Sequence, residues 1–129
     1  MKLLLDTHAL LWALVEPHRL SARAAQLVRD PANVVLVSAA SAWEIATKYR
    51  LGKLPGAGPI LGAYASHLET VRAEELPIRS AHALRAGAFT VAHRDPFDRV
   101  LAAQSHLEGV PLVTNDPAFT AFADVETWW

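Results

Sequence analysis

The chain has 129 residues, with 12 basic and 13 acidic side chains and a formal net charge of −1. Apolar residues make up 52% of it and cysteine is absent, which excludes a disordered tail, disulfides, thiolate metal sites and a cysteine nucleophile. The near-neutral charge also excludes a generally basic nucleic-acid coat protein, so a polyanion must bind at a local site or with the help of a metal.

The N-terminal third predicts two strands and two helices. A short aliphatic run at residues 3–5 is typical of a strand, and residues 9–15 predict a helix that is apolar nearly all round and therefore buried. Pro17 ends this helix, and Ser21 is placed to cap a second one. Residues 34–37 form the clearest strand, because four consecutive aliphatic residues are expected where both faces of a sheet are covered.

A longer helix is predicted over residues 38–51. Its inward candidates are Trp43, Ala46 and Tyr49. The next segment, residues 52–59, holds several glycines and prolines and predicts a loop.

The rest of the chain alternates short helices and strands. Helices are predicted at residues 60–67, 80–86 and 96–107, a loop at 87–94, and strands within 71–76, at 111–114 and near Val125. Such alternation predicts a parallel sheet with helices on both faces, whose strand carboxyl ends share one edge where ligands bind. We expect residues 1–129 to form a single domain.

Membrane and export signals are not expected. Asp6 and His8 interrupt the apolar N-terminal run, and no cleavage pattern follows. No window reaches about 18 uninterrupted apolar residues, so a cytoplasmic protein without membrane contact is predicted.

Four separated segments bring acids toward the predicted ligand-binding edge. Asp6 follows the first strand directly, and Asp116 follows the strand at residues 111–114. Glu44 lies early in the helix after the second strand, and Asp98 lies in the first turn of the helix at residues 96–107. Together they predict an acidic site.

Each acid also has a purely local interpretation. Asp6, Asp95 and Asp116 each precede a predicted helix, where aspartate is a favoured cap. Glu44 and Lys48 are four residues apart, the spacing of an ordinary surface ion pair. These interpretations stay open at the level of sequence.

If the acids converge, their repulsion needs compensation. Two like charges about 4 Å apart repel by roughly 4 kcal/mol at an effective dielectric constant near 20. No lysine or arginine adjoins Asp6 or Asp116, so a divalent cation is the simplest solution, and oxygen ligands favour Mg²⁺ or Mn²⁺. Such an ion activates water toward a phosphodiester and lets an acidic site accept a polyanion.

The four segments resemble the motifs of PIN-domain ribonucleases, in particular the VapC-type toxins of type II bacterial toxin–antitoxin pairs. The resemblance rests on LLLDTHALLWAL with Asp6, SAASAWEIATKYRLGKL with Glu44, HRDPFDRVLAAQ with Asp98, and LVTNDPAF with Asp116. It covers nearly the whole chain, and the order and spacing of all four motifs are specific.

The resemblance implies an α/β/α sandwich around a central parallel sheet of four to five strands. It also implies an endoribonuclease that hydrolyses RNA phosphodiesters with Mg²⁺ or Mn²⁺, using Asp6, Glu44, Asp98 and Asp116 as catalytic and metal-binding residues. Thr7 and Thr114 would be supporting hydroxyls, and Asp95 an accessory acid. A cognate antitoxin and a homodimer are further implications.

The alternative from another class is a non-catalytic signalling or binding domain of the receiver type. Such a domain needs adjacent acids after its first strand and a lysine after its last, whereas Asp6 is followed by Thr7 and no Lys-Pro pair occurs. A dehalogenase-type phosphatase needs a second aspartate where His8 stands.

Several other side chains admit two interpretations. Lys48 is a candidate for a phosphate contact or a solvated helix position, and Arg94 and Arg99 are candidates for phosphate or antitoxin contacts. Trp12 and Trp43 are expected in the core, while the terminal tryptophans either close the core or lie in an oligomer interface. His8 and His93 are expected to have structural or solvent-facing roles.

Overall fold

A computed structural model describes residues 1–129 as a five-stranded sheet with helices on both faces. The strands are β1 (Lys2–Leu5), β2 (Val34–Ser38), β3 (Ala73–Leu76), β4 (Leu112–Val113) and β5 (Thr127–Trp128). The helices are α1 (Thr7–Val15), α2 (Ala22–Arg29), α3 (Ala39–Arg50), α4 (Gly58–Gly62), α5 (Tyr64–Thr70), α6 (Ser80–Ala88) and α7 (Pro96–Glu108). Short 3-10 turns cover Pro17–Arg19, Pro55–Ala57 and Pro117–Ala121.

The sheet is parallel throughout, in the order β3-β2-β1-β4-β5. Strand β1 lies at the centre, and Leu5 pairs with Val37 on one side and Val113 on the other. After β1 the chain crosses to β2 on one side of β1, and it later crosses back to β4 on the other side. The direction of the crossovers therefore reverses beside β1. Ligands of open α/β sheets bind at such a reversal, beyond the carboxyl ends of the strands.

Apolar packing on both faces explains the uninterrupted aliphatic strands. Leu3 and Leu5 are buried with α1 and α2 on one face, while Leu4 is buried with Leu101 of α7 on the other. Successive strand side chains point to opposite faces, so a strand covered on both sides must be apolar at every position. The predicted α/β/α sandwich is confirmed.

Helix boundaries follow the capping residues. The Ser21 hydroxyl accepts from the Ala24 amide at the start of α2, and the Ser38 hydroxyl accepts from the Ala40 amide at the start of α3. Helix α7 ends at Gly109, which adopts a left-handed conformation with φ 65°. Most other residue types are strained in this conformation, so glycine is the favoured residue at this helix end.

The orientation predicted for α3 is wrong. Trp43 is 55% and Tyr49 44% exposed, and Ala46 is exposed as well. The buried face instead carries Glu44 and Ile45. Apolar residues occur on both sides of this helix, so its pattern could not decide which side faces inward, and Trp43 instead packs edge-on against Phe97 of α7.

Two further helix predictions need correction. Helix α1 is buried only in its first half, because Val15 is 55% exposed. The helix predicted at residues 60–67 is two helices, α4 and α5, since Ala63 between them leaves the helical conformation with φ −147°. Trp12 is only partly buried, and the terminal Trp129 packs edge-on against it.

No helix combines the length and the apolar character needed to cross a membrane.

The segment between α6 and α7 is held by Arg99. Its guanidinium donates hydrogen bonds to the main-chain carbonyls of Ala86, Phe89, Val91 and His93 at 2.6–3.2 Å. These bonds contradict a free phosphate-contacting role for Arg99, because its donors are already used within the protein. Arg94 is exposed and makes no such bonds.

Replacing Arg99 with methionine is expected to lower the free energy of unfolding by about 3 kcal/mol, because several carbonyls lose a charged donor. Arg94→Met is the matched control and is expected to change it by less than about 0.5 kcal/mol. Urea denaturation measures both. Equal free energies of unfolding for the two variants would show that the segment holds without the guanidinium.

Candidate functional site

The carboxyl edge of the sheet carries two of the predicted acids. Asp6 follows β1, and its amide donates to the Val113 carbonyl at the end of β4 at 3.1 Å. Asp116 follows β4 by three residues. Pairing of the two central strands therefore brings these acids, 110 positions apart in the chain, to one place.

The helices supply the other acids. Glu44 lies on the buried face of α3, Asp98 lies in the first turn of α7, and Asp95 caps α7. All the acids face one small pocket with a volume of about 70 Å³. The pocket is lined by Asp6, Thr7, His8, Glu44, Lys48, Asp95, Asp98, Asp116 and Phe119. The convergence predicted from the sequence is thus present in the structure.

Larger cavities lie elsewhere but have different chemistry. A groove of about 480 Å³ between α1 and residues 53–60 contains a single acidic side chain, Glu16. The chemistry of the lining, rather than cavity size, marks the acidic pocket as the candidate site.

Asp6 is almost fully buried, at 4% exposure. It accepts a hydrogen bond from the Ala9 amide at 2.7 Å and another from the Thr114 hydroxyl. Burial nevertheless raises the pKa of Asp6 above its ordinary value, and the charge of Asp116 adds to this effect. A buried carboxylate with neutral partners and an acidic neighbour lacks positive charge.

Glu44 is buried too, at 3% exposure, and both of its oxygens have partners. The Thr7 hydroxyl donates to Oε1 at 2.6 Å, and the Lys48 ammonium donates to Oε2 at 2.6 Å. Burial lowers the pKa of Lys48, but the hydrogen bond and charge of Glu44, together with Asp95 and Asp98, raise it above its ordinary value. The pair has the predicted spacing but is not a surface ion pair.

Asp98 has a partner that the sequence did not indicate. His93 Nε2 lies 2.8 Å from Asp98 Oδ2. Burial and the charges of Asp95 and Glu44 raise the pKa of Asp98 to about 6, although the hydrogen bond to His93 acts in the opposite direction. Asp98 is therefore mainly ionised at neutral pH, but its charged form is less stable in the folded protein than in water.

This raised pKa predicts a pH-dependent stability difference. Between the ordinary value of 3.8 and about 6, folded protein binds a proton at Asp98 that unfolded protein releases, so wild type gains stability as the pH falls through this range. Asp98→Asn has no such proton. With chelator present, the variant is expected to be more stable than wild type by about 1 kcal/mol at about pH 7.5, a figure reduced for solvent screening.

Most of that advantage of Asp98→Asn is expected to be lost by about pH 4, where folded wild type is protonated at Asp98 and the unfolded chain is partly protonated there. Urea denaturation at the two pH values measures the difference. Asp124→Asn, at an exposed acid outside the pocket, is the control and is expected to show no change. A stability difference for Asp98→Asn that is the same at both pH values would contradict the prediction.

The donor set of the pocket fits a hard divalent cation. Its acids and threonine offer only oxygen, the ligand type of Mg²⁺ and Mn²⁺. No three acidic or imidazole side chains are already grouped at metal-coordinating positions. The hydrogen bonds explain this, because Glu44 is turned toward Lys48, Asp98 toward His93 and Asp6 toward Thr114.

The capping interpretations of Asp6, Asp95 and Asp116 are correct and coexist with the pocket. Asp6, Asp95 and Asp116 all accept hydrogen bonds from amides of the helical turns that they precede. Each cap uses Oδ1. Asp6 Oδ2 accepts from the Thr114 hydroxyl, whereas Oδ2 of Asp95 and of Asp116 accepts no hydrogen bond. Thr7 and Thr114, named from the family resemblance, both donate to site acids.

The fold is thus an α/β/α sandwich with a pocket at its switch point that is lined mainly by carboxylates. The family model of the PIN domain matches residues 3–125. Because this match covers nearly the whole chain, the protein belongs to the PIN domain family. The match decides against the receiver-type alternative.

Comparisons with individual proteins agree with this membership. The chain is 43% identical to Ribonuclease VapC16 of Mycobacterium tuberculosis over 56 residues, which covers 43% of this chain and 40% of that relative. The aligned region thus spans less than half of the relative's length.

Two solved structures share the fold along nearly their whole length. VapBC2 from Rickettsia felis, bound to a DNA fragment from its promoter, matches with a TM-score of 0.69 and 18% identity, covering 99% of this chain and 98% of that one. VapBC-1 from nontypeable Haemophilus influenzae matches with the same TM-score and identity, covering 99% and 97%. At this identity the likeness concerns the fold.

Proposed function

We propose that the protein is a metal-dependent endoribonuclease that hydrolyses RNA phosphodiesters and acts as the toxin of a toxin–antitoxin pair. The observation that carries this proposal is one pocket lined by five carboxylates and a single lysine, at the carboxyl edge of a PIN-domain sheet. The identity to Ribonuclease VapC16 supports the ribonuclease assignment.

In this proposal Asp6, Glu44, Asp98 and Asp116 hold Mg²⁺ or Mn²⁺, and Asp95 is an accessory acid. A bound divalent ion supplies positive charge that lowers the pKa of water at the site and stabilises charge on the phosphate. Thr7 and Thr114 orient Glu44 and Asp6 through their hydroxyls.

The reaction consumes one water molecule for each bond cut. The water oxygen forms a bond to phosphorus as one phosphorus–oxygen ester bond breaks, and the water's protons pass to a site carboxylate and to the leaving oxygen. Because the acids also repel a polyanion in the absence of a cation, substrate binding and cleavage both depend on the metal.

The test is cleavage of defined single-stranded RNAs by purified protein with Mg²⁺, with Mn²⁺ and with chelator. RNA cleavage that appears only with the divalent ion supports the proposal. DNA of the same sequence is the control substrate, and stable RNA under every metal condition would overturn the assignment.

We propose further that residues 1–129 work as one domain, that two copies form a homodimer, and that an antitoxin protein suppresses cleavage. The family resemblance and the fold shared with the VapBC structures support these proposals. Light scattering is expected to give twice the 14.0 kDa chain mass. Co-expression with the product of a neighbouring small reading frame is expected to relieve growth inhibition.

A further inference from the structure

Lys48 is the one lysine or arginine that lines the acidic pocket. Its ammonium donates to Glu44 Oε2 at 2.6 Å, while the Thr7 hydroxyl occupies Oε1 at 2.6 Å. The side chain of Glu44 is 4% exposed and that of Lys48 is 29% exposed. The lysine therefore reaches from the solvent side of the pocket to a carboxylate on its floor.

Glu44 is not the only acid of the pocket that attracts the Lys48 ammonium. Asp95 and Asp98, at the start of α7, both attract the ammonium in addition to Glu44. In the metal-free protein Lys48 thus supplies positive charge where the family's divalent ion is proposed to act. A four-carbon stem with several rotatable bonds lets the ammonium leave this position without movement of α3.

We propose that Lys48 is a built-in counter-ion that competes with the divalent cation for Glu44 and turns to the RNA phosphate once the cation is bound. This inference rests on the proposed function, because it describes how the proposed metal site replaces the Lys48 ammonium with a divalent cation.

Charge and geometry support the exchange. A divalent cation and an ammonium on the same carboxylate repel each other, and the Thr7 hydroxyl already holds Glu44 Oε1, so the cation and the ammonium compete for Oε2. The ammonium that is displaced stays tethered at the partly exposed side of the pocket. An RNA phosphate that enters on this side of the pocket forms an ion pair with the displaced ammonium, which is the usual way in which lysine binds phosphate.

Direct titration of metal tests the competition. Chelator-stripped wild type, Lys48→Met and Lys48→Arg are titrated calorimetrically with Mn²⁺ at about pH 8, where the carboxylates are ionised. Removing the competing charge is expected to tighten Mn²⁺ binding of Lys48→Met by about tenfold. Lys48→Arg keeps the charge and is expected to remain within about threefold of wild type.

Two controls keep this measurement decisive. Lys2→Met removes an exposed lysine at the opposite end of β1 and is expected to leave Mn²⁺ affinity unchanged. Circular dichroism checks folding, and Lys48→Gln replaces Lys48→Met if the latter does not fold. Mn²⁺ binding by the neutral variant that is equal to or weaker than that of wild type would overturn the competition.

Cleavage kinetics test the second half of the inference. At saturating Mn²⁺, Lys48→Met is expected to raise the KM for a short RNA by about tenfold with a smaller change in kcat, because a phosphate contact is lost. Lys48→Arg is expected to restore most of the lost affinity. An unchanged KM in Lys48→Met would overturn the phosphate contact even if metal binds more tightly.

The two failures are distinguishable. If wild type does not cleave RNA, the proposed function and the phosphate contact fall together. The calorimetric comparison then still decides whether Lys48 competes with the cation, because it needs no substrate.

Discussion

Asp6→Asn and Asp116→Asn are each expected to reduce RNA cleavage by at least about a thousandfold while leaving the fold intact. Asparagine keeps the side-chain oxygen that accepts from the Ala9 or Ala118 amide, so both helical turns retain their caps. The negative charge at the pocket is lost, and at Asp6 an amide group replaces the oxygen that accepts from the Thr114 hydroxyl. These variants therefore separate capping from cation binding, the two roles that the sequence left open.

Activity and stability are expected to move in different directions in Asp6→Asn. Its melting temperature should equal or exceed that of wild type, because burial disfavours the charge that is removed. Cleavage is followed on a labelled RNA and folding by circular dichroism, with Asp124→Asn as an active control. Full cleavage activity in both pocket variants would refute the roles given to Asp6 and Asp116.

A divalent cation is expected to stabilise the folded protein by a large amount even without RNA. At about a hundred times its Kd, a ligand bound only by the folded state adds about 2.7 kcal/mol. For a chain of 129 residues this corresponds to a rise in melting temperature of about 8 °C. The cause is relief of repulsion among buried carboxylates that have too little positive charge around them.

Thermal melts with chelator, Mg²⁺ and Mn²⁺ measure this effect at matched ionic strength. The Asp6→Asn/Asp116→Asn double variant is the control and is expected to lose most of the shift. An equal shift in wild type and the double variant would place cation binding outside the pocket.

Much of the fold could be predicted from local pattern. The strands at residues 3–5 and 34–37 were recognisable because a strand buried on both faces must be apolar at each position. Ser21 marked the start of α2 because its side chain satisfies a free amide of the first turn. The placement of Asp6 and Asp116 followed because parallel strands end at one edge.

The sequence by itself determined the layered architecture, the single edge that the strands' carboxyl ends share and the four acids placed toward it, since these depend on short-range periodicity and on sheet chirality. Only the tertiary structure decided how α3 is rotated against α1 and α7, and hence that Glu44 is buried while Trp43 is exposed. It also decided that Lys48 lies in the acidic pocket and that His93 reaches Asp98. These contacts form between segments that pack together or that lie in irregular backbone. Their positions do not repeat with the period of a helix or a strand, so a sequence pattern does not reveal them.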